Sequence, residues 1–124
     1  QIFLMESICD IRDLYRTLHT FEKEFSDKYG ITLNEGMLLC CMKDGKSKSA
    51  NEICDFLALS PSRGSRIITS AEDKNLIKRE MGIEDKRKMI FTLTEEGLDK
   101  IDNMKICSTD FEKFTNELRN IIVK

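Results

Sequence analysis

The hydrophobic positions of this chain change their spacing several times, and each change marks an element. From about Phe3 to Lys28, apolar residues recur at helical intervals: Ile8, Ile11, Leu14, Tyr15, Leu18, Phe21 and Phe25. That spacing predicts one long helix with a single apolar face. Tyr29-Gly30-Ile31-Thr32 breaks it. Leu33 to Met42 is apolar almost all round, which predicts a core helix in which Cys40 and Cys41 are small buried residues. Lys43 to Lys48 reads as a polar loop.

Two short helices with a tight corner follow. Ser49 and Glu52 have capping-box spacing, each able to satisfy an orphan backbone donor at a helix start. Ala50, Ile53, Cys54 and Leu57 give that helix one apolar face, and Leu57-Ala58-Leu59 forms the corner. Ser60-Pro61 opens the next helix, with serine as N-cap and proline where no N–H is needed. Here Gly64, Ile67, Ile68 and Ala71 form the buried stripe. The opposite face carries Ser62, Arg66, Thr69 and Asp73, flanked by Arg63 and Ser65. Arginine reads guanine edges bidentately, hydroxyls reach bases or phosphates, and a helix N-terminus favours phosphate. The plainer reading is a solvated helix face.

The period then switches from helix to strand. Asn75 is suited to a left-handed helix end, Leu76 to Met81 makes a plausible strand, and Gly82 to Lys86 is turn-like. Met89-Ile90-Phe91-Thr92-Leu93 makes the return strand. Lys86, Arg87 and Lys88 place positive charge at the tip, beside Asp85. A cationic tip next to a reading helix fits a minor groove, where arginine senses width and potential. After the hairpin, Thr94 caps a helix with Glu95 and Glu96 in its first turn and Leu98, Ile101 and Met104 along one side. Cys107-Ser108-Thr109 bends or restarts it, and Phe111, Phe114, Leu118, Ile121 and Ile122 form a last apolar stripe.

Composition adjusts this picture in three ways. The 124 residues fit a single domain, of which 40% are hydrophobic and 34% charged. The formal charge of −2 and a pI near 5.5 run against the basic balance expected of a nucleic-acid binder. The cations Lys78, Arg79, Lys86, Arg87 and Lys88 are nevertheless close in sequence, and the acidic residues fall largely in the terminal helices. Five cysteines without zinc-like spacing point to reduced thiols and a cytoplasmic setting. The single histidine, His19, builds no metal cluster, and no apolar run is long enough to span a membrane. No catalytic triad, phosphate-cradling glycine loop or cofactor motif is present.

Ser62-Arg63-Gly64-Ser65-Arg66, Asn75-Leu76-Ile77-Lys78-Arg79, Asp85-Lys86-Arg87 and Leu93-Thr94-Glu95-Glu96-Gly97 together resemble the MarR family of bacterial winged helix-turn-helix transcription regulators. The resemblance extends upstream to Ile31-Thr32-Leu33-Asn34, while Ala71 and Asn75 depart from the family's usual leucine and glycine. It implies a mainly α fold with a small β-hairpin wing, in one MarR-like domain over residues 1–124. Residues 1–30 and 98–124 would supply dimerisation helices, and residues 31–97 the winged helix-turn-helix. The terminal stripes are too extensive for so small a core, which also points to a homodimer. A dimer would set two reading helices in successive major grooves of a pseudo-palindromic double-stranded DNA operator.

The expected DNA-binding residues are Ser49, Ser60, Ser62, Arg63, Ser65, Arg66, Thr69, Arg79, Asp85, Lys86, Arg87 and Lys88. Promoter occupancy would repress transcription. The resemblance implies release by a small ligand, often aromatic, or by thiol oxidation. Leu14, Tyr15, His19 and Met37 are the candidate effector pocket, with core packing as the plainer reading, and Cys9 is the redox candidate. The competing class is a winged helix that binds protein instead of DNA.

Overall fold

The structure is a computed structural model that describes residues 7–82, 84–106 and 109–123. Its elements run α1 (Ile8–Tyr29), α2 (Leu33–Cys41), β1 (Lys48–Ser49), α3 (Ala50–Leu57), α4 (Pro61–Asp73), β2 (Ile77–Met81), β3 (Met89–Leu93), α5 (Glu95–Ile106) and α6 (Thr109–Ile122). The chain divides into two compact units, Gln1–Gly30 with Met104–Lys124, and Ile31–Asn103. The expected first turn at Phe3 and the expected bend at Cys107-Ser108 lie outside the described residues.

The first unit pairs α1 with α6 through aromatic rings. Phe21 stacks on Phe114 with centroids 4.1 Å apart and also meets Phe25 and Phe111. Lys28 pairs with Asp110 across the same two helices. Gly30 ends α1 in the left-handed conformation that glycine adopts most readily. The apolar face continues beyond this packing. Ile8, Ile11 and Tyr15 are exposed, Tyr15 at 63%, and Ile11, Leu14, Tyr15, Leu18, Phe114 and Leu118 line an open groove of about 440 Å³. Apolar residues so exposed and so contiguous are unusual on a monomer surface.

The second unit is built around Leu38, Leu39, Met42, Ile53, Ile68, Ile77 and Phe91, all buried. Helix α2 opens with a capping box: the Thr32 hydroxyl accepts the Glu35 N–H, and the Glu35 carboxylate accepts the Thr32 N–H. Met37 and Cys40 on its outer side are exposed, so Cys40 is not a core residue. A nine-residue helix turns part of its surface to water even when its sequence is apolar all round. Cys41 is half-buried and Cys54 buried, as small apolar side chains.

Ser49 caps α3 and Ser60 caps α4, each hydroxyl accepting the N–H three residues on. Between them Ala58 takes the left-handed conformation at φ 55°, making the corner. Gly64 lets α4 approach α3 closely: a Cβ there would stand 2.2 Å from Cys54 Sγ. Asn75 at φ 59° delivers the chain into β2. Strands β2 and β3 pair antiparallel from Ile77 opposite Leu93 to Met81 opposite Met89.

One strand is additional to the sequence expectation. Lys48 and Ser49 pair with Phe91 and Ile90, so the hairpin becomes a three-stranded sheet of order β1-β3-β2. Two residues carry no alternating pattern, and the segment reads as loop from sequence alone. The division between units falls inside α5, between Asn103 and Met104. At the start of α5 the Thr94 hydroxyl donates to the Asn75 carbonyl at 2.6 Å and accepts the Gly97 N–H.

Candidate nucleic-acid interface

The second unit places a polar helix face and a cationic turn on exposed surface. On α4, Ser62, Arg63, Ser65, Arg66 and Thr69 are all exposed, while Gly64, Ile68 and Ala71 turn inward. The amphipathic period therefore separates an exposed polar face from the core, although Ile67, expected in the buried stripe, is only half-buried at its edge. Ser65, Arg66, Thr69, Ser70 and Asp73 line a shallow groove of about 310 Å³ along the helix. The Ser60 and Ser62 hydroxyls lie 3.3 Å apart at its N-terminal end. Proline at the first helical position leaves one fewer orphan donor there, Ser60 takes the Arg63 and Gly64 N–H groups, and the helix end carries partial positive charge.

The wing tip is shaped by backbone bonds. Gly82 N–H donates to the Lys88 carbonyl at 2.7 Å, and Lys88 N–H to the Asp85 carbonyl at 3.0 Å. The Asp85 carboxylate accepts the Arg87 N–H at 3.0 Å. It organises the turn through the Arg87 backbone, leaving the guanidinium for other work. Lys86, Arg87 and Lys88 are exposed. Among the described residues these three, with Arg63 and Arg66, form no ion pair, so their charge is available to an anionic partner.

Arg79 stands apart from them. Its guanidinium bonds to Glu72 on α4 at 2.9 Å and lies 5.4 Å from the centroid of the buried Phe91 ring. It joins strand to helix and stacks on the sheet. Ser49 is likewise occupied as the α3 cap and as the last residue of β1. The other ten expected DNA-binding residues lie on α4, at its cap or on the tip.

Glu35 was not visible as a functional residue in the sequence. It is fully buried, and its carboxylate accepts bonds from Ser70 Oγ at 2.5 Å, in the far half of α4, and from Lys74 Nζ at 2.6 Å, at the helix C-cap. Burial pushes its pKa up, but hydrogen bonds from Lys74, Ser70 and the Thr32 backbone outweigh that and hold the carboxyl below its ordinary value. The Thr32-x-x-Glu35 spacing was the available signal, though it indicates a helix cap and not burial.

The remaining candidates fall in both units. Leu14 and Tyr15 line the groove of the first unit. His19 is exposed beside Glu22, and Met37 is exposed on α2 in the other unit. Cys9 is exposed in the first turn of α1, whereas burial pushes the Cys41 thiol up. Among the described residues no cluster of three or more His, Cys, Asp or Glu is placed to hold a metal ion, and no helix is long and apolar enough to cross a membrane.

A family model described as transcriptional regulator SarA/Rot matches residues 20–104. The chain belongs to the SarA/Rot family. The matched span takes in the whole second unit, reading helix and wing included. Among curated proteins, this SarA/Rot chain is 28% identical over 87 residues to the HTH-type transcriptional repressor MdtR of Bacillus subtilis (strain 168). That match covers 70% of the chain but only 56% of MdtR, little more than half its length.

Solved structures show the same fold. A mutant of MarR from E. coli complexed with operator DNA superposes with a TM-score of 0.74 at 17% identity, covering 90% of this chain and 83% of that one. AbsC, a MarR family transcriptional regulator from Streptomyces coelicolor, gives 0.70 at 24% identity, covering 90% and 72%. BpsR of Bordetella bronchiseptica, whose DNA binding is regulated by 6-hydroxynicotinic acid, gives 0.70 at 20% identity, covering 87% and 79%. The fold of this SarA/Rot protein is the MarR winged helix, as the sequence resemblance implied.

Proposed function

We propose that this SarA/Rot family protein is a sequence-specific double-stranded DNA-binding transcription regulator. It acts as a homodimeric repressor in the cytoplasm and is released by a small ligand. The observation that carries this reading is the pairing, within one unit, of an exposed donor-rich helix face with a wing tip whose three cations are free of ion pairs. Arg66 and Arg63, with Ser62, Ser65 and Thr69, would meet base edges and phosphates in the major groove, and Arg87 would probe the adjacent minor groove. The relatives support the reading: MdtR is named a repressor, and the MarR structure holds operator DNA.

The open apolar groove on α1 and α6 supports a second copy as partner, since exposure of Ile11, Tyr15 and Ile122 would otherwise favour association without closure. A ligand could reach the same apolar strip at Leu14 and Tyr15. The DNA binding of BpsR is regulated by a small ligand, and that likeness supports ligand control of this protein.

The test is duplex binding at two salt concentrations, with fragments from upstream of the protein's own gene. Lys86, Arg87 and Lys88 from both protomers would displace about six counterions from the duplex, so affinity should fall about a thousandfold between roughly 50 and 200 mM salt. Competitor-resistant binding with that salt response is the expected result. No duplex binding at low salt, under reducing conditions, would overturn the reading and favour a protein partner for the same surface.

A further inference from the structure

We propose that Glu35 is a positioning residue for the reading helix: reaching from α2, it fixes the rotation of α4 through Ser70 and Lys74, and so sets where Arg66 and Ser62 point. The proposal rests on the DNA-reading function inferred above.

The first argument compares two capping boxes. Ser49 and Glu52 cap α3 with the same motif and the same bonds that Thr32 and Glu35 use on α2. Glu52 does this while exposed to water, whereas Glu35 is 0% exposed. Capping therefore does not require the carboxylate to be buried. Burying one costs desolvation that an ion pair seldom repays in stability over a well-packed apolar side chain. What burial provides here is the reach to α4. Oε1 takes Lys74 Nζ together with the Thr32 N–H, and Oε2 takes Ser70 Oγ.

The second argument is geometric. Arg66, Ser70 and Lys74 are spaced by four residues and form one stripe along α4 and its C-cap, where the Lys74 N–H bonds to the Ser70 carbonyl. Glu35 grips two successive positions of that stripe, and the third is the reading arginine. Ser70 also lines the shallow groove beside Arg66 and Thr69. The inward contacts of α4, through Gly64, Ile68 and Ala71, are apolar. Such contacts set distance well but resist rolling poorly, since dispersion has little directionality. Two bonds to one carboxylate, a helical turn apart, do resist it. A roll of about 20° would move a side-chain atom about 6 Å from the helix axis by about 2 Å. That displacement is enough to lose a bidentate contact to guanine.

The experiment uses the full chain and two duplexes. One is selected by the wild-type protein from a random-sequence pool, and the other is unrelated and of equal length. Affinities for both are measured at fixed salt for wild type, Glu35→Gln, Lys74→Met and the double variant, with far-UV circular dichroism and thermal unfolding alongside. Glu35→Gln and Lys74→Met should each lower the ratio of specific to non-specific affinity by about tenfold. Non-specific affinity and its salt slope should remain. The double variant should lose no more than the stronger single one.

Equal ratios in wild type and both single variants would overturn the proposal. So would parallel loss of both affinities in step with the folded fraction, which would show a purely structural role. If Glu35→Gln fails to fold, Lys74→Met decides alone, because Lys74 is partly exposed and its loss leaves the cap of α2 intact. If the wild type selects no duplex at all, the DNA reading fails first and this proposal falls with it. That outcome is distinct from a selective wild type with equally selective variants.

Discussion

Replacing Gly97 by alanine tests how closely α5 is seated on the hairpin. A Cβ at this position would stand 2.2 Å from the Leu76 carbonyl oxygen and 3.1 Å from Leu93 Cδ2. Contact between carbon and oxygen needs about 3.3–3.6 Å, so the helix start must retreat by about 1 Å. The same carbonyl accepts the Thr94 N–H at 3.1 Å, while the Thr94 hydroxyl donates to the Asn75 carbonyl at 2.6 Å. A retreat of that size takes the N–H bond beyond useful range. The lost bond costs about 1 kcal/mol, and overpacking strain adds about 1–3 kcal/mol. Alanine returns at most about 1 kcal/mol through helix propensity. The expected net loss is about 1–3 kcal/mol. Urea unfolding followed by circular dichroism, at fixed protomer concentration, measures it. Gly64→Ala is the internal comparison. Its new Cβ meets the rotatable Cys54 Sγ at 2.2 Å, not a backbone atom, so its loss should be smaller and should be recovered by adding Cys54→Ala. A neutral or stabilising Gly97→Ala would refute the reasoning, since the carbonyl contact would then not exclude a side chain.

Other outcomes can be checked on the same protein. Arg66→Ala should cost about 1–3 kcal/mol of specific binding and relax base preference at one position, read by competition with single-base operator variants. Arg87→Ala should weaken duplex binding and reduce the salt slope by about 1 per neutralised contact, while light scattering reports an unchanged assembly. Leu118→Glu, in the open groove of the first unit, should shift the protein towards monomer and weaken operator binding as a consequence; an unchanged mass would move the dimer face elsewhere. Glu35 is held below its ordinary carboxyl value of 4.5, so its contribution to stability is complete above that pH and is lost as pH falls through the depressed folded value. Glu35→Gln should therefore lose less stability than wild type between pH 6 and pH 3, and equal acid limbs would argue against a charged Glu35 in the fold.

The helices of the reader were legible because their signals are local. Ser49 with Glu52, and Ser60 with Pro61, state two helix starts within a few residues, and Gly64, Ile68 and Ala71 state which face goes inward. The wing was legible for the same reason, from the β-rich run Met89 to Leu93 and the charged turn before it. Three features escaped because their causes are distant in sequence. Strand β1 exists only by pairing with Ile90 and Phe91. Arg79 looks like a free cation until Glu72 and Phe91 are brought against it. Glu35 looks like a solvated first-turn acid until Ser70 and Lys74 arrive from another helix. Cys40 failed in the opposite sense: an all-apolar stretch suggested complete burial, yet one side of α2 meets water.

Strand β1 also bears on how such a reader is assembled and inherited. Ser49 is at once the last residue of the strand and the cap of α3, and it is paired with Ile90 from the other side of the reading helix in sequence. The chain must close a long loop before that pairing forms, and such non-local closures tend to come late in folding. The start of α3 then gains its final support only when the hairpin is in place. A wing exchanged between relatives would bring a new partner for β1 and would shift the first helix of the reader with it. Changes in the wing strands and in the residues before α3 are thus tied to one another, and the wing is inherited as part of the helix-turn-helix, not as an accessory to it.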